Sequence, residues 1–290
     1  MMTSVSPRGA EVERVLRGVL WINLGVLTLK VVAWVSSHAL SVAAETVHSS
    51  LDATNNLFAL WIARLASRGP DEDHPYGHHK FETLGALVLV GFISITVFEL
   101  LRRAVSLMMV GNPTEVRATP LAIGVMATSM VVGLAVSLWE DRRGRALGSD
   151  ILLADAAHTN SDVLTSAAVL AGLVAIKAGH SEVDPWITIV VAVLIARTGW
   201  RIIRDAVPVL VDERAMDPAR IQRVAESVED VSAAYRIRSR GRAGDMFAEL
   251  TIAVAENLDV RQAHEIADEV ELRVGGELGA REVLVHVEPA

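Results

Sequence analysis

The chain has 290 residues; 51% of them are hydrophobic and none is cysteine. Its mean hydropathy is +0.37 and its pI is about 5.6, so it is more apolar than a soluble globular chain of this size. The lack of cysteine excludes disulfides, thiolate metal sites and iron–sulfur clusters. An acidic pI without a basic stripe excludes nucleic acid as a partner.

Charge is divided unevenly along the chain. Residues 1–210 hold 17 basic and 18 acidic side chains, whereas residues 211–290 hold 10 and 17. We therefore expect a short N-terminal segment (1–14), an apolar body (15–210) and an acidic, soluble domain (211–290). The N-terminus has no short apolar core followed by small residues, so no cleaved signal peptide is predicted.

Six apolar segments are long enough to cross a bilayer, which takes about 18–20 residues. Segment 84–101 has Glu99 as its only charge, and segment 118–139 has none. The other four, which contain more polar residues, are 15–35, 40–66, 151–176 and 186–210. For the three interrupted segments, 40–66, 151–176 and 186–210, a buried helix of a soluble protein is the alternative, but the two clean segments favour a membrane protein. The sequence thus predicts an α-helical membrane protein with a six-transmembrane-helix bundle.

Basic residues indicate the orientation of these spans. Nine of them lie at the N-terminus and after spans two and four, against four on the opposite side. They are Arg8, Arg14, Arg17, Arg64, Arg68, Lys80, Arg142, Arg143 and Arg145 on one side and Arg102, Arg103, Arg117 and Lys177 on the other. The positive-inside rule predicts both termini in the cytoplasm, with the protein in the plasma (inner) membrane.

The last 80 residues show a different periodicity. Asp217-Pro218 is a helix-start signal, and two alternating runs separated by Gly241 and Gly244 predict a hairpin. The predicted elements are a helix at 217–228, strands at 234–238 and 247–254, a helix at 260–274 and a strand at 283–287. This order predicts a small cytoplasmic α+β domain.

Spans two and five contain the same pattern, acid-x-x-His-x-x-x-Asp, and ionisable residues inside spans indicate function. The triplets are Glu45, His48 and Asp52 on span two, and Asp155, His158 and Asp162 on span five. Positions i, i+3 and i+7 share one helix face. If these faces meet, the two histidines and the second aspartates form a tetrahedral set that suits Zn²⁺. The alternative is that these groups hydrogen-bond each other and hold the bundle together. The first acid of each triplet is either a pathway residue or a packing partner.

Two further groups of residues are candidate metal ligands. The loop after span two, 69–80, contains Asp71, His74 and His78, a density of histidine that favours a metal site over a solvated turn. In the tail, His264 lies on a predicted helix, and His286 and Glu288 share one face of the last strand. Each tail histidine alone is as well explained as an ordinary surface residue.

Taken in order, these motifs resemble the cation diffusion facilitator family. The resemblance rests on the paired His-x-x-x-Asp, on the loop Asp-x-x-His-Pro-Tyr-Gly-His-x-Lys and on the tail, and it covers roughly residues 12–289. It implies a dimeric, proton-coupled exporter of divalent metals with a ferredoxin-like αββαβ domain in the cytoplasm. It also implies a charge interlock near the dimer interface, formed by Lys80 and Asp212. Tyr235 and Thr251 stand where members often have histidine, which implies fewer metals in the tail.

We therefore expect a secondary transporter and not an enzyme. Its expected partners are a divalent metal, protons, membrane lipid and a second copy of the chain. Zn²⁺ is the expected metal, and an Fe²⁺, Mn²⁺, Cd²⁺ or Co²⁺ exporter or a non-transporting metal sensor is the alternative. An intramembrane zinc protease would need His-Glu-x-x-His on a span, and the sequence lacks that motif.

Overall fold

The computed structural model describes residues 7–37, 40–110, 120–177, 180, 183–242 and 245–290. The chain divides into two compact units, Met1–Ala206 and Val207–Ala290. Six long helices begin in the first unit: α1 Pro7–Ser37, α2 Leu40–Ala66, α3 Lys80–Val110, α4 Pro120–Leu147, α5 Asp150–Lys177 and α6 Asp184–Leu210. The second unit contains two helices and three strands: α7 Pro218–Ala225, β1 Ala233–Arg242, β2 Asp245–Val254, α8 Val260–Leu278 and β3 Ala280–Pro289.

Each of the six long helices overlaps one predicted span, and several continue beyond it. α1 begins at Pro7, and α4 extends to Leu147. Arg142, Arg143 and Arg145 therefore lie on the last turns of α4, and not in a loop as the sequence suggested. Within the described residues, three helical segments are long and apolar enough to cross a membrane by length and composition alone: Pro7–Val32, Lys80–Met109 and Pro185–Leu210.

The six-helix unit packs around small and apolar side chains, while large apolar groups face outward. Leu16, Leu89 and Ile151 are fully buried in the cluster that joins α1, α2, α3 and α5. Trp21 and Phe98, in contrast, are 72% and 67% exposed. Such groups on the outside of a helical unit suit hydrocarbon, because a lipid tail is as apolar as a protein core.

One basic side chain ties together the ends of three helices. Arg8 of α1 donates to the carboxylate of Glu82 on α3 at 3.0 Å, and to the backbone carbonyls of Leu147 and Gly148 at 2.6 and 2.7 Å. The Ser149 hydroxyl donates to the same carboxylate. The guanidinium thus satisfies carbonyls at the C-terminus of α4, where a helix has no internal donors left.

The tail unit is a three-stranded sheet covered by helices. β1 pairs antiparallel with β2, and β2 pairs parallel with β3, in the order β1-β2-β3. Ile252, Val270 and Val274 are fully buried in its core. Asp259 and Gln262 form a capping box at the start of α8, which satisfies two of the donors that a helix N-terminus leaves free.

The predicted order of elements in the tail is confirmed, and the boundaries differ. β1 continues to Arg242, so Gly241, predicted to lie between the strands, belongs to β1 and pairs with Met246. Its φ of 98° is one that glycine adopts without strain. The six-helix membrane unit followed by an αββαβ domain is the fold that the sequence predicts.

Gly85 is a position where α3 approaches α2 too closely for any side chain. A Cβ at Gly85 would lie 2.5 Å from Cγ2 and 3.2 Å from Cβ of Ile62, whereas a Cβ at Gly91 on the same helix meets nothing within 4 Å. Gly85→Ala should lower the free energy of unfolding by about 1–3 kcal/mol, because overpacking forces the helices apart. Gly91→Ala should leave it unchanged or raise it by up to about 1 kcal/mol.

Thermal unfolding of both variants in the same detergent, followed by intrinsic fluorescence, compares them directly. Equal midpoints for the two variants would contradict the close approach of α2 and α3 at this glycine.

Candidate metal centre

The polar faces of α2 and α5 meet inside the helical unit. Nε2 of His158 lies 4.0 Å from an oxygen of Asp52 and 3.9 Å from an oxygen of Asp162. One donor atom from each of these three residues lies within 4.8 Å of the others. His158 is buried and the two aspartates are partly buried. The arrangement arises because His158 and Asp162 are one turn apart on α5 and Asp52 occupies the facing turn of α2.

These separations suit a small divalent cation. Zinc–ligand bonds of about 2.1 Å in a tetrahedron place ligand atoms about 3.4 Å apart, so the distances from Nε2 of His158 to the two carboxylates need to shorten by only about half an ångström. His48, predicted to be the fourth ligand, lies one turn before Asp52 on α2, and its side chain is outside the described residues, as is that of Glu45.

A neighbouring amide orients the His158 ring. Asn55 on α2 lies with Nδ2 2.8 Å from Nε2 of His158, and an amide nitrogen can only donate, so Nε2 accepts. In a neutral ring this orientation places the proton on Nδ1, a buried atom with no hydrogen-bond partner among the described residues. Nε2 therefore carries the lone pair, and a metal would bind there once the Asn55 amide moves away from it.

The three donors line a cavity of about 80 Å³, which is enough for an ion with a few water molecules. Its polar lining comes from four helices: Asn23 and Lys30 of α1, Ser49, Asp52 and Asn56 of α2, Ser129 of α4, and His158, Thr159, Asp162 and Ser166 of α5. Lys30 is only 4% exposed, and its Nζ donates to the Ser49 hydroxyl at 2.8 Å. An ammonium group thus lines the same cavity as the candidate ligands.

Asp155, the predicted pathway residue, is fully buried one turn before His158. Asn56 donates to both of its carboxylate oxygens, at 3.1 and 2.9 Å. Asn23 of α1 in turn donates to the Asn56 carbonyl at 2.5 Å. A chain of amides therefore links α1, α2 and α5 beside the metal donors.

The loop candidates also come together. Asp71 accepts from the His74 backbone N–H at 2.7 Å, and Nε2 of His78 lies 3.3 Å from its other oxygen. His78 donates through Nδ1 to the Gly69 carbonyl at 3.1 Å, which leaves Nε2 as the lone-pair nitrogen facing Asp71. Desolvation raises the pKa of the Asp71 carboxyl, but hydrogen bonds from His74 and the two imidazoles outweigh it, and the pKa lies below its usual value. Asp71, His74 and His78 form a second possible metal group.

The tail candidates are not brought together in this way. Among the described residues, no three acid or histidine donors of the tail form such a group. His264 lies 3.7 Å from Asp268 on α8, and His286 lies 3.6 Å from Glu288 on β3. The hydrogen bond from the Tyr235 hydroxyl, at 2.5 Å, is the main reason why the pKa of Glu288 is lowered. A tail metal site thus stays a prediction.

The predicted interlock of Lys80 and Asp212 also stays a prediction, since the two residues belong to different units. Within the tail unit, Asp212 lies 3.7 Å from Nη1 of Arg240.

Sequence reasoning missed three polar residues around the centre. Asn23 and Lys30 are seven residues apart on α1, which places them on one face, and this spacing was the available signal. Glu140, near the end of α4, is fully buried. It follows an apolar segment directly and precedes a run of surface charges, so its burial could not be predicted from its position in the chain.

Lys30 should oppose metal binding, because its charge lies in the same poorly screened cavity as the cation. Lys30→Met should tighten the dissociation constant for zinc by about tenfold, which corresponds to about 1.4 kcal/mol. Ser49→Ala keeps the charge of Lys30 and removes only the hydroxyl to which it donates. This variant should change the dissociation constant for zinc much less.

Titration calorimetry in a His78→Ala background, which removes the loop group, measures this centre. Ser50→Ala is the matched control, since the Ser50 hydroxyl donates to the carbonyl of Thr46 in its own helix. Unchanged or weakened zinc binding in Lys30→Met would contradict the role assigned to the ammonium group.

The fold and the buried donors define a membrane protein that handles divalent metals, and comparison with known proteins identifies its family. The model of the cation efflux transmembrane domain matches residues 17–211, and that of the cation efflux protein cytoplasmic domain matches residues 214–290. The chain therefore belongs to the cation diffusion facilitator family, as the motifs indicated, and it exports divalent metal cations.

Several relatives are similar over nearly the whole chain. The cation-efflux pump FieF of Shewanella oneidensis is 28% identical over 99% of this chain and 97% of its own length. Metal tolerance protein C1 of Arabidopsis thaliana is 27% identical over 97% of this chain and 63% of its own length. The solved MamM-CTD is 32% identical over 25% of this chain and 92% of its own, with a TM-score of 0.24.

Proposed function

We propose that this protein exports Zn²⁺ from the cytoplasm in exchange for protons, by alternating access to the centre between α2 and α5. The observation that supports this most is the set formed by Asp52, His158 and Asp162, with one donor atom from each within 4.8 Å of the others. The proposed transport site consists of these three residues and His48.

The donor chemistry supports zinc over harder cations. Imidazole nitrogen and carboxylate oxygen are both common zinc ligands, whereas oxygen-only sites suit Mn²⁺ and Mg²⁺. His158 contributes nitrogen, and His48 would contribute a second. Such a set also binds Fe²⁺, Cd²⁺ and Co²⁺, so selectivity is measured by competition.

The same donors support exchange with protons. A ligating histidine must be neutral and a ligating aspartate ionised, so metal binding releases protons and protonation releases metal. Histidine exchanges protons near neutral pH. A centre that opens alternately to the two sides would therefore load metal on one side and protons on the other.

We assign the remaining parts by the distribution of charge. Segment 1–14 and the acidic domain 211–290 lie in the cytoplasm of the proposed topology, and the membrane domain is 15–210. The protein acts as a homodimer in the plasma (inner) membrane, with membrane lipid around the exposed apolar side chains. Asp71, His74 and His78 form a second, cytoplasmic metal site at the helix ends, and metal at His264, His286 and Glu288 would offset repulsion between two acidic tails.

Loss of one ligand should abolish export. His158→Ala and Asp162→Ala should each reduce zinc flux at least about a hundredfold, because a missing ligand leaves a buried charge uncompensated and weakens binding. Asn160→Ala is the matched control, since Asn160 lies on the same turns of α5 but lines a different cavity.

Flux is measured in vesicles containing equal amounts of folded protein, with a zinc indicator inside. Wild-type flux in either ligand variant would exclude this centre as the transport site. A non-transporting sensor would bind zinc at the centre and yet show no flux in the wild-type protein.

Replacement of the proposed fourth ligand should change selectivity and keep transport. His48→Asp should shift competition flux toward Mn²⁺ by about tenfold, since an oxygen ligand replaces a softer nitrogen. An unchanged preference for zinc over Mn²⁺ would place His48 outside the ligand set.

A further inference from the structure

Two buried carboxyl groups lie together one turn from the transport site. Glu140 of α4 and Asp155 of α5 are both 0% exposed, and their charges interact. Neither oxygen of Glu140 has a hydrogen-bond partner within the described part of the chain. Two carboxylates that face each other in such a place cannot both be charged without a large electrostatic penalty.

The surroundings determine which of the two carries the charge. Both oxygens of Asp155 accept from the Asn56 amide, whose orientation is fixed by the donation from Asn23. These bonds stabilise the ionised form of Asp155. Glu140 has no such donor, so a proton on Glu140 would supply the missing hydrogen bond, with its O–H facing the Asp155 carboxylate.

No basic side chain is seen to neutralise the pair in the described structure. The neighbouring arginines on α4 are engaged elsewhere, Arg143 with Glu11 of α1 and Arg145 with Asp141. The charges that act on Asp155 besides Glu140 come from His158 and Asp162 of α5, while α1 and α2 contribute the neutral amides. The titratable neighbours of the pair are thus the metal donors themselves.

We propose that Glu140 and Asp155 form a buried proton-binding site that is linked to metal binding. Glu140 holds one proton while the transport site is empty, and a divalent cation bound one helical turn away expels that proton by electrostatic repulsion. The inference rests on the proposed proton exchange and assigns part of it to residues outside the metal ligands.

The position of the pair explains how the two sites communicate. Asp155 and His158 lie one turn apart on α5, and the adjacent residues Asn56 and Asn55 bind one each. A shift of α2 relative to α5 would therefore disturb both contacts together. In the proposed topology the pair lies on the cytoplasmic side of the transport site, where metal would enter and protons would leave.

Infrared difference spectroscopy tests for the proton directly. Full-length protein in lipid vesicles is compared with and without zinc, and the carbonyl stretch of a protonated carboxylic acid is followed. We expect zinc to remove an acid band in the wild-type protein and in Asp141→Asn, and the zinc-sensitive band to be smaller in Glu140→Gln by the contribution of one carboxyl group. Asp141 is the matched control, because it is the next residue and pairs with Arg145 on the helix surface.

Transport measurements test the linkage. In vesicles with an imposed pH gradient, the zinc accumulation that the gradient drives should be about tenfold lower in Glu140→Gln than in the wild type. Zinc flux down its own concentration gradient should persist in this variant. Asp155→Asn, the second variant, should show the same loss of gradient-driven zinc accumulation, since it removes the other carboxyl group of the pair. Asp141→Asn should accumulate zinc like the wild type.

The outcomes separate this inference from the proposed function. A zinc-sensitive band as large in Glu140→Gln as in the wild type, or wild-type accumulation in that variant, would overturn the proton-binding site alone. Absence of any zinc-sensitive acid band in the wild type would overturn it as well. A wild-type protein that transports zinc without response to the pH gradient would refute proton exchange, and the infrared result would still decide whether Glu140 holds a metal-linked proton.

Discussion

The burial of charge between helices is the constraint on which the membrane unit depends. Asp155 and Glu140 are inaccessible, and Lys30 is nearly so. An ionised group in such surroundings needs a partner, or it loses its charge. The amides of Asn23 and Asn56 fulfil this need for Asp155, so polar residues of α1 and α2 stabilise the charges on α5. The same network fixes the helix faces that form the metal centre.

The remainder of the unit keeps these faces in register. Glycine at position 85 allows α3 to lie against Ile62 of α2, and Arg8 holds α1, α3 and the end of α4 together. Exposed apolar residues such as Trp21 would contribute little to this specificity in a bilayer, because they gain nearly the same contacts from hydrocarbon as from protein. Close backbone approach and satisfied polar groups therefore determine the arrangement of the helices.

In the proposed mechanism, metal and proton are coupled by the same electrostatics. A divalent cation among Asp52, His158 and Asp162 would change the local potential by two charges, and so small a cavity screens that charge much less than bulk water does. Lys30 and the proton proposed on Glu140 would both respond to that potential, one as a fixed charge and the other as an exchangeable one. The proposed transport site is thus a cluster of cation-binding groups, of which the proposed metal ligands are one part.

The sequence alone determined the six spans, the acidic α+β tail and the donors on spans two and five, because hydrophobic periodicity and the repeated acid-x-x-His-x-x-x-Asp are local properties of the chain. It also indicated the loop group, whose ligands Asp71 and His78 are close in sequence. It did not reveal Lys30 or Glu140 as neighbours of the centre, since each is a single polar residue on a helix whose facing partner is set by packing. Only the tertiary structure decided that Asn56 binds Asp155 and that Glu140 is buried against it, because contacts between residues 15 or 99 positions apart depend on how the helices cross.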